Sequence, residues 1–153
     1  MIGVVVVTHG QLATELVNAA ETIVGDLPHF LAVSIGWHED VQDAREAIAA
    51  AIEKVRQPGG VLLATDMFGG TPSNLGITFL EQHKVEIITG VNLPMLIKAV
   101  SVKDDASLTE IARSLREHGR NAIWVASDLL GGGPSTGSGP SRAESRDGTE
   151  PQT

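Results

Sequence analysis

Ile2-Gly3-Val4-Val5-Val6-Val7-Thr8-His9-Gly10 is an unbroken apolar run that stops on a histidine and a glycine. A strand with one wet face alternates apolar and polar residues. A continuous run such as Ile2 to Thr8 is instead expected where helices cover both faces of a parallel sheet. Helical spacing follows at once, from about Gln11, with Leu12, Leu16, Ala19, Ala20 and Ile23 on one stripe and Gly25 as its stop. The same alternation continues down the chain. Phe30–Ile35 reads as a second strand, and a helix from about Asp40 carries Val41, Ala44, Ile48, Ile52 and Val55 until Pro58-Gly59-Gly60. Val61–Thr65 reads as a third strand and Val85–Thr89 as a fourth.

Between those two strands, Pro72 fits a first helical position with Thr71 as its cap. After the fourth strand a helix is expected from Asn92, bearing Leu93, Pro94, Leu96, Ile97 and Val100. Ser107-Leu108-Thr109-Glu110 is a capping-box pattern opening a helix to Gly119, and Ala122–Ala126 is expected to close the domain as a last strand. Strands alternating with helices give an α/β fold: a doubly wound, mostly parallel sheet of order 2-1-3-4, with the last strand as an antiparallel edge.

Of the 153 residues, 11 Lys and Arg face 19 Asp and Glu, for a net charge of −8. Without a basic cluster the chain lacks what a nucleic-acid backbone requires. Zero cysteines exclude thiolate catalysis, cysteine-ligated metal centres and disulfides. The opening run lacks a cationic flank, so it does not read as a signal peptide, and no apolar run approaches membrane-spanning length. The expected location is the cytoplasm. Composition shifts at Gly131 to Gly, Pro, Ser and Thr. One domain is therefore read over residues 1–130 and a disordered tail over 131–153.

Open parallel sheets bind ligands outside the carboxyl ends of their strands, where the strand order reverses. In order 2-1-3-4 that crevice lies between the first and third strands, and so between His9 and Asp66. A carboxylate that accepts a hydrogen bond from one imidazole nitrogen orients the ring and leaves the other nitrogen nucleophilic. Gly69-Gly70 lets main-chain N–H groups approach a ligand, the following helix start favours an anion, and Thr71 adds a hydroxyl. Taken singly, a histidine at a strand end is as readily a hydrogen-bonded loop residue, and the glycine turn a plain helix start. Together they describe a site for a phosphoryl group on His9.

Met67, Phe68, Leu93 and Met95 are apolar residues near the expected mouth, read either as loop packing or as a rim for a docking partner. His38 lies on the same side, but His38-Glu39-Asp40 lacks zinc-site spacing, and no metal is expected. Gly133-Pro134-Ser135-Thr136-Gly137 matches the hydrolase G-x-S-x-G string but has no helix after it. No Walker-type phosphate loop is present. A phosphoaspartate receiver needs an acidic pair near the end of the first strand, where this chain has Thr8-His9.

Thr8-His9-Gly10, the block from Asp66 through Asn74, and Gly90-Val91-Asn92-Leu93-Pro94-Met95-Leu96 closely resemble the mannose-family enzyme IIA domain of the bacterial phosphoenolpyruvate:sugar phosphotransferase system (PTS). The resemblance spans about residues 1 to 127. It implies a homodimer exchanging its last strand and a phosphohistidine relay without a cofactor. It further implies His9 as the phosphorylated residue, Asp66 holding the ring, and Gly69, Gly70 and Thr71 around the phosphoryl oxygens. The implied donor is the phosphocarrier HPr and the implied acceptor a histidine of a IIB protein or domain. After residue 130 a polar tail stands where fuller members carry a IIB domain, which leaves the acceptor open. The phosphotransfer subunit of dihydroxyacetone kinase also resembles this sequence, and a regulatory module switched by His9 phosphorylation is the reading from another class.

Overall fold

The computed structural model describes residues 1–131. It divides into a unit spanning Met1–Gly119, which contains the sheet, and a second unit beginning at Arg120. The elements of the first unit are β1 (Gly3–His9), α1 (Leu12–Val24), β2 (Phe30–Ile35), α2 (Val41–Val55), β3 (Val61–Thr65), α3 (Gly70–Ile77), β4 (Val85–Thr89) and α4 (Leu93–Ala99). Helix α5 (Leu108–Asn121) runs two residues past its end. The four strands form a parallel sheet in the order β2-β1-β3-β4.

Residues Ile2 to Thr8 are buried, and their alternation divides the core into two layers. Val4 and Val6 point with Leu62 and Ala64 into a layer closed by Ala13, Val17 and Ala20 of α1, Met95 and Leu96 of α4, and Ile111 and Leu115 of α5. Val5 and Val7 point the other way, with Leu63, against Ile48, Ile52 and Val55 of α2 and Leu75 of α3. A strand flanked by helices on both sides has no wet face, which is why its sequence shows no period of two.

Local signals set most boundaries. The Asp40 carboxylate accepts the Gln42 and Asp43 N–H groups and starts α2. Ser107 and Glu110 form the expected reciprocal box at the head of α5, with Glu110 N–H on Ser107 Oγ at 3.2 Å and Ser107 N–H on Glu110 Oε2 at 2.9 Å. Asn92 caps α4 by accepting the Met95 N–H at 3.0 Å.

Two expectations are corrected. Thr71 is not the cap of α3: the helix begins at Gly70 with Gly69 as N-cap and no side-chain cap, so Thr71 and Pro72 are its second and third residues. The positive φ values of Gly69 and Gly70, 86° and 81°, let the chain turn into the helix earlier than a side-chain cap would. Residues 122–125 form no strand, and a four-residue helix, α6 (Ala126–Leu129), follows them in the second unit. A strand exists only as part of a ladder, and the described residues give this segment no neighbour. The disorder expected of the tail falls, from residue 132 on, outside the described residues.

Candidate active site

His9 is the last residue of β1, and Asp66 immediately follows β3. Because β1 and β3 are hydrogen-bonded neighbours, two positions 57 residues apart in sequence meet at the carboxyl edge of the sheet. The His9 Nδ1 lies 2.7 Å from Asp66 Oδ2, and the His9 main-chain N–H donates to the same oxygen at 3.0 Å. The other carboxylate oxygen accepts the Met67 N–H at 3.0 Å. An ionised carboxylate only accepts, so the Nδ1 position carries the proton and Nε2 presents its lone pair.

The environment of the two groups is unequal. The Asp66 side chain is 13% exposed, whereas that of His9 is 52% exposed. Burial of Asp66 pushes its carboxyl upward, but the hydrogen bonds and charge of His9, with the Met67 N–H, outweigh it and leave the group below its ordinary value. Asp66 therefore remains a carboxylate beside an open imidazole.

Thr8 sets the turn that presents His9. Its buried hydroxyl accepts the Ala13 N–H at 2.6 Å and donates to the His9 carbonyl at 3.2 Å, tying the end of β1 to the first turn of α1. Gln11, the residue before that helix, supplies no side-chain cap, so a threonine three residues earlier does the capping. From the other side, the Gly10 N–H donates to the Ile35 carbonyl at 2.8 Å.

The free edge of the imidazole faces the start of α3. A Cβ built on Gly70 would stand 3.1 Å from His9 Cε1 and 3.2 Å from Nε2 at a φ of 81°, so any other residue would be strained there and would push the ring aside by a few tenths of an ångström. Without a capping side chain, the first N–H groups of α3 are left for a ligand and the helix dipole favours an anion there. Thr71 is exposed at the same helix start. Its Ser73 neighbour is fully buried, with Oγ 3.5 Å from the Gly70 carbonyl.

The apolar candidates separate. Met67 and Phe68 are 54% and 77% exposed. Met95 is 3% exposed and belongs to the core, so it is no part of an outer rim, and the half-buried Leu93 packs against the same core. Asn92 and Pro94 fix the start of α4, and helical spacing then turns Met95 and Ala99 inward together. Among the described residues no cluster of His, Asp and Glu is arranged to hold a metal ion. Two features escaped sequence reasoning: the Thr8 hydroxyl that caps α1, and Trp37, which is 98% exposed at a turn after β2.

Over residues 3–116 the chain matches the family described as the PTS system fructose IIA component, EIIA-man. The chain belongs to this family. It is 28% identical over 131 residues to the fructose-specific EIIA component of Bacillus subtilis, covering 85% of this chain and 90% of that protein. It is 30% identical over 129 residues to the mannose-specific EIIAB component of Escherichia coli K12, covering 80% of this chain but 38% of the relative. The mannose/sorbose-specific IIA subunit of Enterococcus faecalis superposes with a TM-score of 0.69 at 26% identity, covering 80% of this chain and 92% of that one. The fold is shared with EIIA of Streptococcus agalactiae, at a TM-score of 0.74 and 22% identity over 84% of this chain and 99% of that one. EIIA components are phosphotransferases that carry a phosphohistidine, and this chain is a mannose-family EIIA component. No helix among its described residues is long and apolar enough to cross a membrane.

Proposed function

We propose that this EIIA component accepts a phosphoryl group from HPr on His9 Nε2 and passes it to a histidine of a IIB protein or domain, in sugar uptake or in regulation linked to it. The observation that carries the reading is the shared Asp66 oxygen, which fixes both the His9 main chain and its ring. In the forward step the Nε2 lone pair forms a bond to phosphorus while the P–N bond of the donor breaks, its electron pair returning to the donor nitrogen. The Nδ1 proton stays in place, so the product is a phosphoimidazolium whose positive charge lies beside Asp66. That charge keeps the ring a good leaving group for the second transfer. The N–H groups at Gly69 and Gly70 and the Thr71 hydroxyl face the added oxygens, and positioning with electrostatics supplies the catalysis.

The same reading includes a homodimer. Ile123 and Val125 are 75% and 63% exposed, with the half-buried Trp124 between them, a period-two pattern suited to a strand. Among the described residues, strand β4 is an unpaired sheet edge, bordered by an open groove of about 240 Å³ lined by Glu86, Ile87, Ala112 and Arg116 among others. A second copy that laid residues 122–126 antiparallel along that edge would cover both surfaces. The test of the proposal is phosphoryl transfer from HPr to wild type and to His9→Ala, read as intact mass.

A further inference from the structure

The turn after β2 holds an exposed tryptophan where the fold gives it nothing to pack on. Gly36 to Glu39 is closed twice: the Glu39 N–H donates to the Gly36 carbonyl at 3.3 Å, and the Gly36 N–H donates to a Glu39 carboxylate oxygen at 3.0 Å. Trp37 sits at the corner of this turn, 98% exposed. Its place in the sheet is fixed, because His9 is in register with Ile35, two residues earlier. On the opposite flank Phe68 lies two residues after Asp66, and Leu12, 48% exposed, opens α1 three residues after His9. Trp37, Leu12, Met67 and Phe68 thus come from three loops that converge on the same histidine.

The charges of this mouth have one sign. Segments 9–12, 36–40, 66–71 and 90–92 hold Glu39, Asp40 and Asp66 and no Lys or Arg. A dianionic phosphoryl group reaching His9 meets helpful N–H groups only at the last few ångströms, and an acidic border before that. The countercharge must therefore arrive with the donor.

We propose that Trp37, with Leu12, Met67 and Phe68 beside it, anchors the docking of the phosphoryl-donor protein over His9. This rests on the phosphoryl-acceptor reading of His9 and adds to it the residue that selects the partner. A tryptophan on a turn closed by two hydrogen bonds has only two side-chain torsions to fix on binding and brings a large apolar face, the profile of an interface anchor. The acidic border rewards a basic partner by steering encounter and repels small phosphorylated metabolites.

The test uses two phosphoryl donors on the full chain: phosphorylated HPr and phosphoramidate, a small donor that needs no docking surface. Trp37→Ala removes a side chain outside the core, and circular dichroism verifies its fold. Glu39→Gln with Asp40→Asn removes two charges while keeping a hydrogen-bond acceptor at each position. The expected result is a KM for HPr raised about tenfold or more by Trp37→Ala, with kcat and the phosphoramidate rate unchanged. The paired substitution raises the same KM and flattens its dependence on salt. Labelling by both donors with the KM for HPr unaltered in both variants overturns the docking surface alone. Failure of phosphorylated HPr to label wild type His9 overturns the acceptor reading, and this proposal with it.

Discussion

Asp66 Oδ2 receives two hydrogen bonds from His9, one from its ring at 2.7 Å and one from its main chain at 3.0 Å. The carboxylate is thus attached to the end of β1 as well as to the side chain. It fixes the position of the imidazole and its tautomer in one contact, while the carboxylate itself is held by the Met67 N–H. An asparagine at this position retains an acceptor but loses the negative charge beside the phosphoimidazolium proposed for His9.

Asp66→Asn is accordingly expected to slow phosphoryl transfer in both directions, by about 10²- to 10⁴-fold, the range for groups that position or assist a catalytic histidine. Rapid-quench measurement of the labelling rate checks this. A rate equal to that of wild type would reduce Asp66 to a structural role.

The same carboxyl links stability to pH. Its folded-state value is lowered, with burial opposing and the His9 contacts prevailing. A depressed carboxyl contributes stability above its unfolded value, and the contribution is lost as pH falls through the folded value. Urea denaturation of wild type and Asp66→Asn is therefore expected to show a gap that is widest near neutrality and closes in acid, as pH falls through and below the ordinary carboxylate range. A gap independent of pH would contradict the assignment.

Gly70→Ala combines two penalties: a φ of 81° and a Cβ 3.1 Å from the imidazole. The backbone term is about 1–2 kcal/mol, and the displaced ring is expected to slow transfer by about 10²-fold. Gly10→Ala is the control, with a φ of 55° and nothing within 4 Å of the added carbon. It is expected to lose comparable stability and far less transfer, which thermal melts and labelling rates would separate.

Much of this site was legible because the topology was. An unbroken apolar first strand implied a parallel sheet, order 2-1-3-4 brought the ends of β1 and β3 together, and those ends are His9 and Asp66. What escaped depends on contacts that no periodicity encodes. The Thr71 hydroxyl looked like a cap, but two glycines at positive φ let α3 begin before it. Met95 looked like a rim residue, but its helical phase turns it into the core with Ala99. Trp37 gave no signal, because apolar residues in loops are as often covered as exposed. The last strand depends on a neighbour that the described residues do not provide.

If residues 122–126 pair along β4 of a second copy, Ile123→Asp with Val125→Asp should convert a dimer to a monomer in sedimentation velocity. The His9 site should still be labelled by phosphoramidate. An unchanged sedimentation coefficient would place any dimer contact elsewhere.

The most direct test of the account is intact mass after incubation with phosphoenolpyruvate, enzyme I and HPr, run beside His9→Ala. The account predicts one acid-labile phosphoryl group on wild type and none on the variant. Equal labelling of both, or no labelling of wild type while HPr in the same tube is phosphorylated, would contradict it.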